Sequence, residues 1–332
     1  MKRILFFAMA VVALASCGGA DRKTLLPNVS GKAGEVIVVM EKPDWEGSLG
    51  STTRDILACD CPYLPQKEPL YTLVNVVPSN FADLFKVHRN IVFVTVDPQT
   101  PKTGVSYRKD VWAATQCVIQ VAAPDVERAD SLLKADNKTI TAFIEQAERD
   151  RVIRNSVLYE EKTVSDKVAE VFGGAPHIPT GYKLKKISND FAWISDDKQY
   201  TMQGIFIYRY PASEEVDNFA LETIIAKRNE TMKANVPGMF ENTYMTTGTF
   251  LPPYVEYLKY RGRDFAQTRG LWEVENDYMG GPFVSQTFYS QDGKDIIVTE
   301  AFVYAPKYDK RQYLRQTESI LYSWEWADNE SK

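Results

Sequence analysis

Residues 35–40 read Glu-Val-Ile-Val-Val-Met, one carboxylate followed by five apolar side chains, four of them β-branched. Branching at Cβ stiffens χ1 and favours the strand. A run without polar alternation suits a strand covered on both faces, as in parallel sheets. Three further segments share its character: Leu70 to Val77, Asn90 to Val96 (NIVFVTV) and Gln116 to Ala122 (QCVIQVA). Helix-compatible stretches separate them. Asp44 is placed to cap a helix carrying Trp45, Leu49, Ile56 and Leu57, and Pro78-Ser79 opens a short one with Phe81, Leu84 and Phe85 inward. Alternating strands and helices predict an α/β arrangement for this half.

Pro124-Asp125 then opens the longest helical region. Ala129, Leu132 and Leu133 share a face that Ile140, Phe143, Ile144 and Ala147 continue, and Val164, Val168, Val171 and Phe172 keep the helical spacing. The charged stretch 148–162 allows a helical pair or one broken helix. Gly173-Gly174 ends it, and Pro176 forbids resumption.

Beyond this point the composition changes: 27 of the 40 aromatic residues lie in 181–332. Aromatic enrichment with alternating patterns argues for an antiparallel sheet. Tyr182–Ser188 and Phe191–Ser195 flank a turn at Asn189-Asp190. Tyr200 to Tyr210 is a long strand, and Ser213 is placed to cap a helix bearing Glu214 and Glu215 in its first turn, with Val216, Ala220 and Ile224 buried. Tyr254–Tyr260 and Phe265–Val274 are strands about Arg261-Gly262-Arg263. Pro282–Ser290 and Lys294–Tyr304 form a hairpin through Asp292-Gly293, and a last helix turns Tyr313, Thr317, Ile320, Leu321 and Trp324 inward. The expected fold class is α+β: a mixed α/β N-terminal half (34–174, ending in the long helical segment) and a largely antiparallel sheet with flanking helices in an aromatic-rich C-terminal half (181–326).

Upstream, Lys2 and Arg3 precede an apolar run from Ile4 to Leu14, and Leu14-Ala15-Ser16 leads to Cys17. A basic start, an apolar core and small residues at the cut make residues 1–16 a secretory signal. The run is too short to span a bilayer core of about 30 Å. Leu-Ala-Ser-Cys resembles the lipobox of bacterial lipoproteins, which implies that Cys17 becomes the acylated N-terminus and that the lipid bilayer is its first partner. Residues 17–33 read as a tether. They lack an acidic run after the cysteine, which favours the periplasm-facing leaflet of the outer membrane.

The net charge of −5 becomes −7 once Lys2 and Arg3 are removed, and no basic run offers nucleic acid a footprint. Of the remaining cysteines, Cys117 lies in an apolar strand, while Cys59 and Cys61 are too close for a comfortable mutual disulfide. A bridge from either to Cys117 stays open in an oxidising compartment. His88 and His177 are the only histidines. His88 reads as a helix-end residue bonding a carbonyl, and His177 as a solvated linker residue. Neither a metal site nor a cofactor motif is indicated.

The segment GEVIVVM with Trp45, the segment FKVHRNIVFV at 85–94 and the run RGLWEVENDYMGGPFVSQTF at 269–288 resemble a Bacteroidota envelope lipoprotein family catalogued only as a domain of unknown function. The resemblance implies an envelope location and brings no activity, ligand or catalytic residue. Asp130-Ser131-Leu132 resembles the short O-glycosylation motif of that phylum, which makes Ser131 a candidate acceptor.

One constellation invites a ligand: Arg261, Arg263, Arg269, Trp272, Glu273 and Asp277, followed by Gly280-Gly281-Pro282. Guanidinium forks and an indole face suit a carboxylate or a sugar. The same residues also suit ion pairs on a strand surface and a tight hairpin turn. No Gly-x-Ser-x-Gly elbow, His-Glu-x-x-His helix or phosphate-binding Gly-rich loop occurs. The expected function is therefore a non-catalytic envelope lipoprotein that binds another protein or positions a cell-wall component. A binder of small molecules or glycans comes next, then an enzyme of unrecognised type using Glu273 with Asp277.

Overall fold

The computed structural model describes residues 26–327, so Cys17 and residues 1–16, which the sequence reads as a signal, lie outside it. In chain order the first half comprises β1 (Glu35–Val39), α1 (Lys42–Glu46), α2 (Ser48–Leu57), β2 (Thr72–Val76), α3 (Asp83–Lys86), β3 (Asn90–Val96), β4 (Gly104–Lys109), β5 (Cys117–Ala123) and α4 (Val126–Leu158). The second half comprises α5 (Lys162–Phe172), β6 (Gly174–Ala175), β7 (Lys183–Ile187), β8 (Phe191–Lys198), β9 (Thr201–Pro211), α6 (Leu221–Asn235), β10 (Met245–Thr247), β11 (Tyr254–Tyr260), β12 (Arg263–Val274), β13 (Gly280–Tyr289), β14 (Asp295–Tyr304), α7 (Arg311–Leu321) and β15 (Glu325–Trp326). The fold is α+β, as the sequence predicts.

The first sheet has the order β2-β1-β3-β5-β4, parallel except for the edge strand β4. Its apolar runs face both ways. Val36, Val38, Val92, Val94, Ile119 and Val121 pack under α2 and α4, while Ile37, Val39, Ile91 and Val118 meet Phe81, Phe85, Phe93 and Trp112 on the other side. Each such side chain taken fully out of water contributes roughly 1.5–3 kcal/mol, which is why the run tolerates no polar alternation. The helix after β1 breaks at Gly47, and Asp44 lies inside α1 rather than capping it. Leu84 is exposed, not inward.

Asp125 caps α4 by accepting the Arg128 N–H at 2.7 Å. The 33-residue helix is about 50 Å long at about 1.5 Å per residue, long enough to serve both halves. Ala129 to Ala147 complete the first core, and Ile153 enters the second. A left-handed Gly173 (φ +73°) stops α5, a backbone that glycine adopts without a Cβ penalty.

The second sheet is antiparallel, in the order β10-β12-β13-β14-β9-β8-β7, with β11 also paired to β12. Alternation sends Ile205, Ile207, Phe265, Phe288 and Ile297 toward α5 and α7, and Phe206, Tyr208, Trp272, Phe283 and Phe302 toward α6. The α6 face also carries a fully buried ion pair. Arg228 Nε and Nη2 donate to Glu300 Oε2 and Oε1 at 2.9 and 2.7 Å, and the guanidinium lies 3.9 Å over the Phe283 ring. α6 begins at Leu221, later than expected. The Ser213 hydroxyl accepts the Glu215 N–H within a turn, so Glu214 and Glu215 precede the helix and Val216 is exposed.

α7 joins the halves. Glu68 accepts the Lys310 and Arg311 N–H groups at 2.7 and 2.8 Å, and Arg315 holds Glu145 through Nη2 and Nε at 2.8 and 3.1 Å.

Candidate functional site

The candidate constellation sits on β12, whose two-residue period divides it. Arg263, Phe265, Gln267 and Arg269 face α7, while Trp272 faces α6 among Phe283 and Phe302. Arg269 meets Glu318 of α7 at 2.5 Å. The Trp272 indole donates to the Val303 carbonyl at 3.2 Å and stands edge-on to Phe302. Glu273 lies ten residues along the strand from Arg263, about 34 Å at about 3.4 Å per residue. With Glu275 and Asp277 it lines a separate, acidic hollow at the β12–β13 turn. Asp277 accepts the Tyr278 N–H there at 2.6 Å. The structure therefore does not bring Arg263, Trp272 and Asp277 into one site.

It builds a different site around Arg261 and Arg263. The β11–β12 turn, with Arg261 and Gly262 at φ +47° and +84°, overhangs a hollow of about 730 Å³. Tyr260, Phe288, Tyr322, Trp324 and Trp326 form its walls, with Asp264 and Glu325 among its polar lining. The Arg263 guanidinium lies 4.5 Å over Phe288, and its Nη2 donates to Gln286 Oε1 at 3.1 Å. Burial pushes the Arg263 pKa down to about 10 and lifts the Tyr322 phenol to about 12. Tyr322 Oη donates to Gln267 Oε1 at 2.7 Å, and Arg149 lies 3.7 Å over its ring. Trp324 and Trp326 stand edge-to-face at 5.5 Å because β15 pairs with β6. That pairing needs Gly174, where a Cβ would meet the Glu325 carbonyl at 2.6 Å.

Two residues of its lining carry a buried donor without an acceptor, Arg263 Nε and Trp324 Nε1. A buried donor without a partner forfeits a hydrogen bond. Such a set, beside aromatic faces, suits a ligand bringing oxygen acceptors and an apolar ring face. The last helix ends at Leu321, so Trp324 lies beyond it rather than on its inward face, and with Trp326, which sequence reasoning missed, it returns to Arg263 from the end of the chain. Their Trp-x-Trp spacing, the second Trp in β15 and the first just before it, was the available signal.

The histidines are engaged elsewhere. His88 is buried between Glu35 Oε1 (2.8 Å) and the Asn90 carbonyl (3.1 Å). His177 is not solvated: Glu160 holds its Nδ1 at 2.8 Å and Glu325 its Nε2 at 3.3 Å. Cys59, Cys61 and Cys117 are free thiols, and burial raises the pKa of Cys61 to about 11 and of Cys117 to about 12. Among the described residues no three His, Cys, Asp or Glu side chains converge as metal ligands, and no helix is long and apolar enough to cross a membrane. Ser131 is exposed on α4, next to Asp130, which accepts Thr52 Oγ1 at 2.5 Å and pairs with Lys134 at 2.6 Å.

Among solved structures, the Saccharomyces cerevisiae Ran-binding protein Mog1p is 9% identical, with 47% of this chain and 91% of that one covered at a TM-score of 0.32. A Bacteroides thetaiotaomicron protein is 10% identical over 48% of this chain and 47% of its own, at a TM-score of 0.27. No curated protein matches. Residues 29–157 match a family described as a domain of unknown function, DUF8532, and residues 161–323 match a second, DUF4837. The two matched stretches, both of unknown function, meet at the break between α4 and α5.

Proposed function

We propose that this chain is a lipid-anchored protein of the cell envelope, tethered through acylated Cys17 to the periplasm-facing leaflet of the outer membrane, whose body recognises a ligand rather than transforming it. The Leu-Ala-Ser-Cys motif supports the anchor. The observation that carries the binding reading is the hollow at Arg263, where aromatic walls stand beside the Arg261 and Arg263 side chains. The ligand class that fits is an envelope glycan bearing carboxylates: guanidinium and indole N–H groups take its oxygens, and Tyr260, Tyr289 and Trp326 offer faces to its rings. A second reading, docking of a protein partner, is favoured by the exposed Met239, Phe240, Phe250 and Tyr278, which lie on the loops flanking β10 and on the β12–β13 turn.

Both parts are testable. Cells fed labelled palmitate should mark the chain, and Cys17→Ser should abolish the label; an unlabelled wild-type chain refutes the anchor. Acidic glycan fragments titrated into the protein should change its tryptophan fluorescence saturably. Trp326→Ala, a half-buried site, should weaken that binding about tenfold, the loss of one stacking contact of roughly 1–1.5 kcal/mol. Fluorescence unmoved by any fragment refutes the glycan reading.

A further inference from the structure

A second concavity, of about 370 Å³, opens between the two halves, walled by α4 and α7 and bordered by Ala33 and Pro179. Arg89, Arg151 and Arg315 line it with Glu148, and Glu145 pairs with Arg315 from outside the lining, so three cations meet two carboxylates. In a chain of net charge −5 this is a local reversal of sign.

Glu148 is buried and already shared. It accepts from the Gly34 N–H at 3.1 Å, from Asn90 Nδ2 at 2.7 Å and from Arg89 Nη1 at 2.9 Å. Arg151 Nη1 sits 3.0 Å from the same carboxylate without the alignment of a hydrogen bond, and both it and Arg89 Nε have no acceptor. The Arg151 guanidinium is fixed by the Thr115 and Arg89 carbonyls and by Asn90 Oδ1, at 2.7–3.0 Å. Its side chain is nine-tenths buried. Arg315 is fixed in turn by Glu145 and by the Leu70 carbonyl at 2.9 Å. Burial lowers the Arg151 pKa, opposed by Glu148, as expected of a cation short of counter-charge.

We infer that this cleft is a binding site for a small oxyanion, a ligand presenting a carboxylate or phosphate group. Guanidinium forks match both groups bidentately, and cations already held in place lose little freedom on binding. The volume stands at the lower end of the roughly 300–1,000 Å³ of ligand sites, so the ligand is the size of a dicarboxylate or a phosphate monoester. Its walls come from both halves, so the bound anion also fastens them together.

The test is thermal unfolding of the full chain in detergent micelles. Inorganic phosphate and succinate are titrated separately, against sodium chloride at constant ionic strength. A saturable rise in Tm of several degrees is expected from one or both anions, and the arm that responds names the group. Asn155→Glu sets a carboxylate at the exposed mouth without touching the buried arginines, and should weaken the response about tenfold by like-charge repulsion. Trp326→Ala should leave it unchanged, which separates this cleft from the aromatic hollow. No rise beyond chloride, or a rise that Asn155→Glu leaves intact, overturns the assignment.

Discussion

Both sheets are covered on two faces, yet they bury different chemistry. The parallel sheet sends hydrocarbon to both sides, with its fully buried polar side chains, Asn90 and Gln116, at or beside strand ends. The antiparallel sheet buries Arg228, Glu300, Gln267, Thr268, Ser285, Gln286, Thr287 and Thr299 within or directly against its strands. Four of those hydroxyls, on Thr268, Ser285, Thr287 and Thr299, have no hydrogen-bond partner. The first sheet therefore draws its stability from many small, similar contacts. The second depends on a few polar groups staying matched.

The largest effect should come from breaking the pair beneath α6. Arg228→Ala leaves Glu300 buried without its cation and should cost about 3–5 kcal/mol, read from urea denaturation. Combining Arg228→Met with Glu300→Leu should recover most of that loss, because apolar replacement of a whole buried pair is often neutral or stabilising by about 1–4 kcal/mol. A double variant as unstable as the single one would dissolve the contrast. In the parallel sheet, Ile91→Val removes one methylene from a fully buried position and should cost about 0.5–1.5 kcal/mol in the same assay. A cost matching Arg228→Ala would place the two sheets on equal terms.

The smallest effect lies at the joint between them and depends on pH. Burial pushes the Glu145 carboxyl up, but the Arg315 charge and hydrogen bonds prevail, and its pKa sits below the ordinary value. The folded group thus stays ionised where the unfolded one takes up a proton, near pH 4.3 (about the free value). Its contribution is present above that value and fades as pH falls through the lower folded pKa. The Tm difference between wild type and Glu145→Gln should therefore shrink on acidification from pH 7 to 3. A difference that stays constant would deny the linkage.

The strands with unbroken apolar runs were legible because burial on both faces writes itself directly into residue type. β4, reading GVSYRK, was not: as a half-exposed edge strand it carries no burial pattern. The Ser213 helix was misplaced because a hydroxyl that caps a helix also closes a turn, and only the structure distinguishes them. The constellation on β12 was gathered by nearness in sequence, whereas a strand sends neighbours to opposite sides, and Trp272 left the arginines for that reason. What surrounds Arg263 instead arrives from Trp324 and Trp326, and the arginine cleft assembles residues 89, 151 and 315. Convergence over such separations leaves no local mark.

Glu68 at the start of α7 carries a consequence for the order of folding. The helix has no cap of its own, and its first two free N–H groups are met by a carboxylate made some 240 residues earlier. As the chain emerges from a ribosome, Glu68 appears long before this last helix, which finds its cap only where the N-terminal half has folded. Closure of the helix thus reports that the first half is finished, and a chain that misfolds early leaves the first turn of this helix uncapped and open to proteases.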